Sequence, residues 1–181
     1  FLVITMGCAD DAGEFLPPDV SLIPEGFPGH VGFTVAGTEI DGVPTRLKGV
    51  NVVDPIAQAT WGLPQEVGEW GRDYYEQVRA WGGQIVRIPI HPEFWREDPV
   101  QATHIVRQAV DWSREVGLYV IIDFHAIGML HLDRFEADAT TTDVAEFLEF
   151  WQVTSSEFAL DEHIAAYGLF NEAVNLDAPE P

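Results

Sequence analysis

Five polar side chains interrupt or end apolar runs in this sequence. They are Asn51, Arg87, His125 and the adjacent pair Asn171–Glu172. The last two close the run Ile164-Ala165-Ala166-Tyr167-Gly168-Leu169-Phe170, which has the length and composition of a strand buried on both faces. In parallel α/β sheets and barrels the C-terminal ends of the strands are where ligands and catalysis sit. A carboxylic acid at such an end is desolvated, which favours its neutral form, and a general acid must hold its proton. Glu172 is therefore the candidate acid/base. The amide of Asn171 suits a hydroxyl whose contact strengthens in the transition state. Simple alternation sends neighbours to opposite faces of a strand, so for both to face one substrate the strand must bulge or end there.

Arg87 lies within Ile85-Val86-Arg87-Ile88-Pro89-Ile90, and a permanent charge in that setting needs a carboxylate partner. Its alternative role is a strand-end arginine reaching water. His125 ends Val120-Ile121-Ile122-Asp123-Phe124-His125 and by parity shares a face with Asp123. It suits either a substrate hydroxyl or a carboxylate. A metal site built from Asp123, His125, His91 and Glu172 is the alternative, although such sites more naturally open with a His-x-His pair on the first strand. His91 and His131 reach the same rim with no role assigned.

Four strands and three helices must position these residues. Strand one, Thr45 to Asn51, follows a loosely alternating stretch from Val31 to Pro44 with turns at Gly37-Thr38 and Asp41-Gly42, read as a hairpin closing the bottom of a barrel. A long loop is expected from Val52 to about Glu69. Trp70, Tyr74, Val78 and Trp81 then mark one face of a helix that Gly82-Gly83 stops. After strand two, Asp98 and Pro99 start a helix whose buried face is Ala102, Ile105, Val106, Ala109, Val110 and Val116. After strand three, Asp143 and Glu146 have capping-box spacing ahead of Val144, Phe147, Leu148, Trp151 and Phe158. The strand-end markers Asn51, Arg87, His125 and Glu172 are 36, 38 and 47 positions apart, as right-handed βαβ units of about 30 residues or more require. Alternating strands and helices imply a parallel sheet. No glycine-rich loop follows strand one, which argues against dinucleotide and P-loop folds.

The 181 residues carry 30 acidic against 9 basic side chains, a net charge of −21. This disfavours nucleic acid and anionic membranes as partners. Apolar residues make up 46% of the chain, enough for one domain with a real core. The single cysteine, Cys8, excludes an intrachain disulfide. It follows Phe1-Leu2-Val3-Ile4-Thr5-Met6-Gly7, which reads as the tail of a bacterial lipoprotein signal with Cys8 as the lipidated residue. The expected organisation is a signal remnant over 1–8, a linker rich in Pro, Gly and acids over 9–30, and the domain over 31–181. The expected location is secreted or on the cell surface, with membrane contact only through that anchor.

Leu47-Lys48-Gly49-Val50-Asn51, Ile85 to Ile90, Val120 to His125 and Phe170-Asn171-Glu172 together resemble successive strand motifs of glycoside hydrolase family 5, the large cellulase family. The resemblance runs from about Phe33 to Asn175. It implies a (β/α)8 TIM barrel, of which this chain holds the first four strands, and a retaining endo-β-glycosidase that needs no cofactor or metal. It implies that Arg87 orients a catalytic carboxylate, that His125 and Asn171 bind the sugar at the cleavage point, and that Glu172 is the acid/base. Trp61 and Trp95, placed in strand-to-helix loops, are candidates for stacking on sugar rings. The substrate implied is a polysaccharide, with β-glucan the first choice. The chain departs from the family pattern in having Ala173 where Pro is usual. It also ends nine residues after Glu172, whereas a barrel takes about 250 residues, so the nucleophile, a strand-seven glutamate, is expected in a C-terminal half outside this sequence. The polypeptide taken alone is expected to be inactive and to self-associate through its open sheet edges. Rival readings are a carbohydrate-binding half barrel without catalysis and a metal-dependent barrel hydrolase.

Overall fold

The computed structural model describes residues 29–34, 37–61, 70–128, 130 and 138–173. The lipidation candidate Cys8, the linker and His131 lie outside them, as does the side chain of Trp61. Among the described residues no helix is long and apolar enough to cross a membrane.

The chain opens with three short antiparallel strands, β1 (Val31–Thr34), β2 (Gly37–Ile40) and β3 (Val43–Pro44), in the order β1-β2-β3. Asp41 and Gly42, both with positive φ, make the second turn. This unit packs against the bottom of the main sheet. Val31 joins Tyr119 and Ala165 in a small apolar cluster, and the Tyr119 hydroxyl donates to the Gly29 carbonyl. The expected hairpin is present and carries a third strand, with the Asp41-Gly42 turn as expected, but Gly37 and Thr38 lie within β2, paired with Thr34 and Phe33, and do not form a turn.

The main sheet is parallel, with β4 (Gly49–Asn51), β5 (Ile85–Ile90), β6 (Tyr119–Phe124) and β8 (Ile164–Gly168) side by side in chain order. Sequential order with helical crossovers is what right-handed βαβ units produce. Val86, Ile88, Ile90, Val120, Ile122 and Phe124 are completely buried beneath the helices. The register aligns Asn51 with Arg87 and Arg87 with Ile121, and one layer higher Pro89 with Asp123 and Asp123 with Gly168. In-register residues of a parallel sheet share a face, so Asn51, Arg87 and Asp123 line the side of the sheet opposite the helices.

The crossover helices are α2 (Arg72–Ala80), α4 (Pro99–Glu115) and α5 (Val144–Phe158). Asp98 caps α4 by accepting from the Gln101 amide at 3.0 Å, and Asp143 caps α5 by accepting from the Glu146 amide at 2.8 Å. The Glu146 carboxylate does not reach back to complete a capping box. It takes two hydrogen bonds from Arg96, at 2.7 and 2.9 Å.

Three expectations are corrected. The stretch after β4 is not all loop, since α1 (Pro55–Trp61) forms there, and a second unexpected helix, α3 (Pro92–Glu97), follows β5 directly. Each has proline at its first position, where the missing N–H costs nothing. Trp81 does not belong to the buried stripe of α2. The helix ends at Ala80, leaving Trp81 73% exposed while Tyr75 and Val78 face the core. On α5, Val144 and Leu148 are exposed, and Phe150, Thr154 and Phe158 point inward.

A candidate active site at the strand ends

The strand ends are broken at one common level. β6 stops at Phe124, and the chain resumes pairing at β7 (Ile127–Gly128). β8 stops at Gly168 and resumes at β9 (Glu172–Ala173), which pairs in parallel with β7. The Asn171 amide donates to the Phe124 carbonyl at 3.2 Å, and the Glu172 amide donates to the Ala126 carbonyl at 3.1 Å. The two breaks are thus tied together, and they free Asn171 and Glu172 from strict alternation. β8 ends and restarts here, as the sequence required if both side chains are to serve one substrate. Below the break, a register shift between Val120 and Ile121 realigns β8 so that Gly168 lies beside Asp123.

Asp123 is the hub. Its side chain is 2% exposed, and one oxygen, Oδ2, accepts from Arg87 Nη2 at 2.8 Å and lies 2.7 Å from His125 Nδ1. Gly168 makes room for the other oxygen, because a Cβ at that position would sit 2.5 Å from Asp123 Oδ1. Arg87 Nη2 also donates to Asn171 Oδ1 at 2.6 Å. A guanidinium can only donate, so this contact fixes the amide's orientation and turns the Asn171 NH2 away from Arg87. The carboxylate that Arg87 needs is therefore Asp123. The Arg87 side chain remains partly exposed.

Glu172 is solvent-exposed. The desolvation expected for it on an apolar strand end is not provided by the described residues. Trp95 is not a loop residue. It lies in α3, is 2% exposed, and packs edge-on against Phe150 with ring centroids 5.4 Å apart. The turn of helix directly after β5 points it into the core and leaves no face for a sugar ring.

A second aspartate–histidine pair, absent from the expected site, stands next to the first. Asp54 is buried and accepts from the Ile56 and Ala57 amides at the start of α1 through Oδ1, at 2.8 and 3.3 Å. Through Oδ2 it accepts from the His91 amide at 2.8 Å and meets His91 Nδ1 at 2.9 Å. The His91 and His125 rings lie 4.7 Å apart. A signal for this pair was present in Asp54-Pro55, which repeats the Asp98-Pro99 helix start. Among the described residues no three of His, Cys, Asp or Glu are grouped to hold a metal ion.

The model of the cellulase family (glycosyl hydrolase family 5) matches residues 38–179. The chain belongs to this family. A family 5 β-glucanase from Saccharophagus degradans, SdGluc5_26A, superposes with a TM-score of 0.73 at 26% identity over 80% of this chain. The same enzyme solved in complex with cellotetraose gives 0.72. An endogalactoceramidase (TM-score 0.59, 16% identity, 79% of this chain and 44% of that one) shares the fold. No curated protein matches the sequence. This family 5 chain spans 42% of the length of the S. degradans β-glucanase. The four-stranded parallel sheet is accordingly part of a (β/α)8 barrel.

Proposed function

We propose that this chain is the acid/base-bearing part of a retaining endo-β-glycosidase acting on a β-linked glucan. The observation that carries the reading is the Arg87 guanidinium, which joins Asp123 to Asn171 and so fixes the amide beside Glu172. Family membership supports glycoside hydrolysis, and the cellotetraose complex of a 26%-identical β-glucanase supports a β-glucan-type substrate.

In this reading Glu172 protonates the departing glycosidic oxygen while a second carboxylate attacks the anomeric carbon. Glu172 then removes a proton from the water that hydrolyses the glycosyl-enzyme. Retention requires the two carboxyl groups to lie about 5 Å apart. The second belongs to a glutamate of a later barrel strand, outside these 181 residues. The Asn171 NH2 donates to a sugar hydroxyl next to the reacting carbon, and His125, held by Asp123, binds a second hydroxyl of the same ring. Neither group needs to move a proton. Their contribution is orientation, which acts when contacts tighten in the transition state.

The deciding experiment is Glu172→Ala in the full-length protein. Hydrolysis of the natural glucan should fall by about 100-fold or more, the range for losing a general acid. Aryl glycosides with good leaving groups should suffer less in the first step, because their departure needs little protonation. Wild-type rates on both substrates would refute the assignment.

A further inference from the structure

Two imidazoles, not one, are presented at the rim, and each is set by a buried aspartate. Asp54 receives four donors on its two oxygens: the Ile56 and Ala57 amides on Oδ1, and the His91 amide and His91 Nδ1 on Oδ2. An ionised carboxylate only accepts, so His91 must carry its proton on Nδ1. Its Nε2, on the far edge of the ring, is then a bare acceptor in the neutral imidazole. The same logic applied to Asp123 makes His125 Nε2 an acceptor as well. Neither Nε2 has a partner among the described residues. The rings are a quarter exposed or slightly less, with centroids 4.7 Å apart and planes tilted by 58°.

Two adjacent imidazole edges, each with Nδ1 held by an aspartate and Nε2 turned outward, select their ligand by chemistry. Anions are repelled by Asp54, Asp123 and a net charge of −21. A hydroxyl donor is suited, and two neighbouring acceptors suit two neighbouring hydroxyls. We propose that Asp54 and His91 form a second sugar-hydroxyl site beside His125, so that the twin imidazoles take adjacent hydroxyls of one pyranose ring, with Asp54 as the positioning residue that fixes the His91 tautomer. The proposal rests on the glycosidase reading above and adds a residue pair to it.

The test uses full-length protein carrying Glu172→Gln, so that cellotetraose binds without turnover, and reads affinity by titration calorimetry. Adding His91→Ala should weaken binding roughly 3- to 10-fold, as loss of one hydrogen bond does. In the otherwise wild-type enzyme the same change should raise KM with kcat nearly constant, the mark of a contact made equally in ground and transition states. Asp54→Ala should give a similar loss. In nitrogen-15 spectra it should also move the His91 proton from Nδ1 toward Nε2, which general loosening of α1 would not do. If Asp54→Ala does not fold, His91→Ala leaves Asp54 and its cap intact and decides the matter alone. Unchanged affinity in a folded His91→Ala protein, or a fall in kcat at constant KM, would overturn the proposal. Failure of the glycosidase reading shows separately, as full activity in Glu172→Ala.

Discussion

His163 shows how strongly one buried residue couples this fold to pH. It is 4% exposed at the start of β8, and burial, with the positive charges of Arg114 and Arg107 on α4, pushes its imidazole down to about 4. Asp161 nearby is already taken by Arg107 and approached by Arg114, so it leaves those charges only partly neutralised. In the unfolded chain the same group titrates near 6.5. Between these values the unfolded state binds the extra proton, so stability rises with pH there. His163 therefore imposes no penalty above about pH 6.5, and stability is lost as pH falls toward 4. The slope is at most about 1.4 kcal/mol per pH unit for one proton. Urea unfolding across this interval should show a shallower pH dependence in His163→Gln than in wild type, even though the many carboxylates contribute to both. Equal slopes would mean that His163 is not held neutral. At this scale the sequence was only partly legible. Arg87, His125, Asn171 and Glu172 were marked by polarity against apolar runs. Asp54 and His91 also follow apolar residues, but each precedes a proline and reads first as a helix start, which hides their pairing across 37 positions.

At the scale of elements, what could be read depended on length and period. The strands β5 and β6 and the helix α4 were evident because long apolar stretches and an Asp-Pro start leave few alternatives. The helices α1 and α3 have 7 and 6 residues, too few for periodicity to emerge. Their Asp-Pro and His-Pro starts were the available cues. Missing α3 is what misplaced Trp95. Its ring fills the space between α3 and Phe150 of α5. Trp95→Ala should cost about 3–5 kcal/mol, as truncation of a buried aromatic does, seen as a lower urea midpoint at unchanged m-value. Affinity for cellotetraose in the folded protein should stay unchanged. A variant of normal stability with weakened sugar binding would restore the stacking role.

The whole molecule presents a conflict between shape and charge. Among the described residues β8 pairs only with β6, whereas a closed barrel leaves no strand edge unpaired. Next to that edge Phe147, Leu148, Trp151, Tyr167 and Leu169 line an apolar depression of α5 and β8. Leu148 and Leu160 are about 60% exposed. Such an edge with an apolar flank is a template for association. Opposing it is the net charge of −21, which repels a second copy at low ionic strength and is screened within about 10 Å at 0.1 M salt. A polypeptide of these 181 residues should therefore associate in a salt-dependent manner. Light scattering should give a mass near 20.1 kDa in dilute buffer, rising to dimer or beyond as salt is added. Leu148→Lys with Leu160→Lys should suppress the rise by breaking the apolar flank. The direction of the salt effect separates this from pairing by surface ion pairs, which salt would weaken. A monomer at every salt concentration would refute association through this edge.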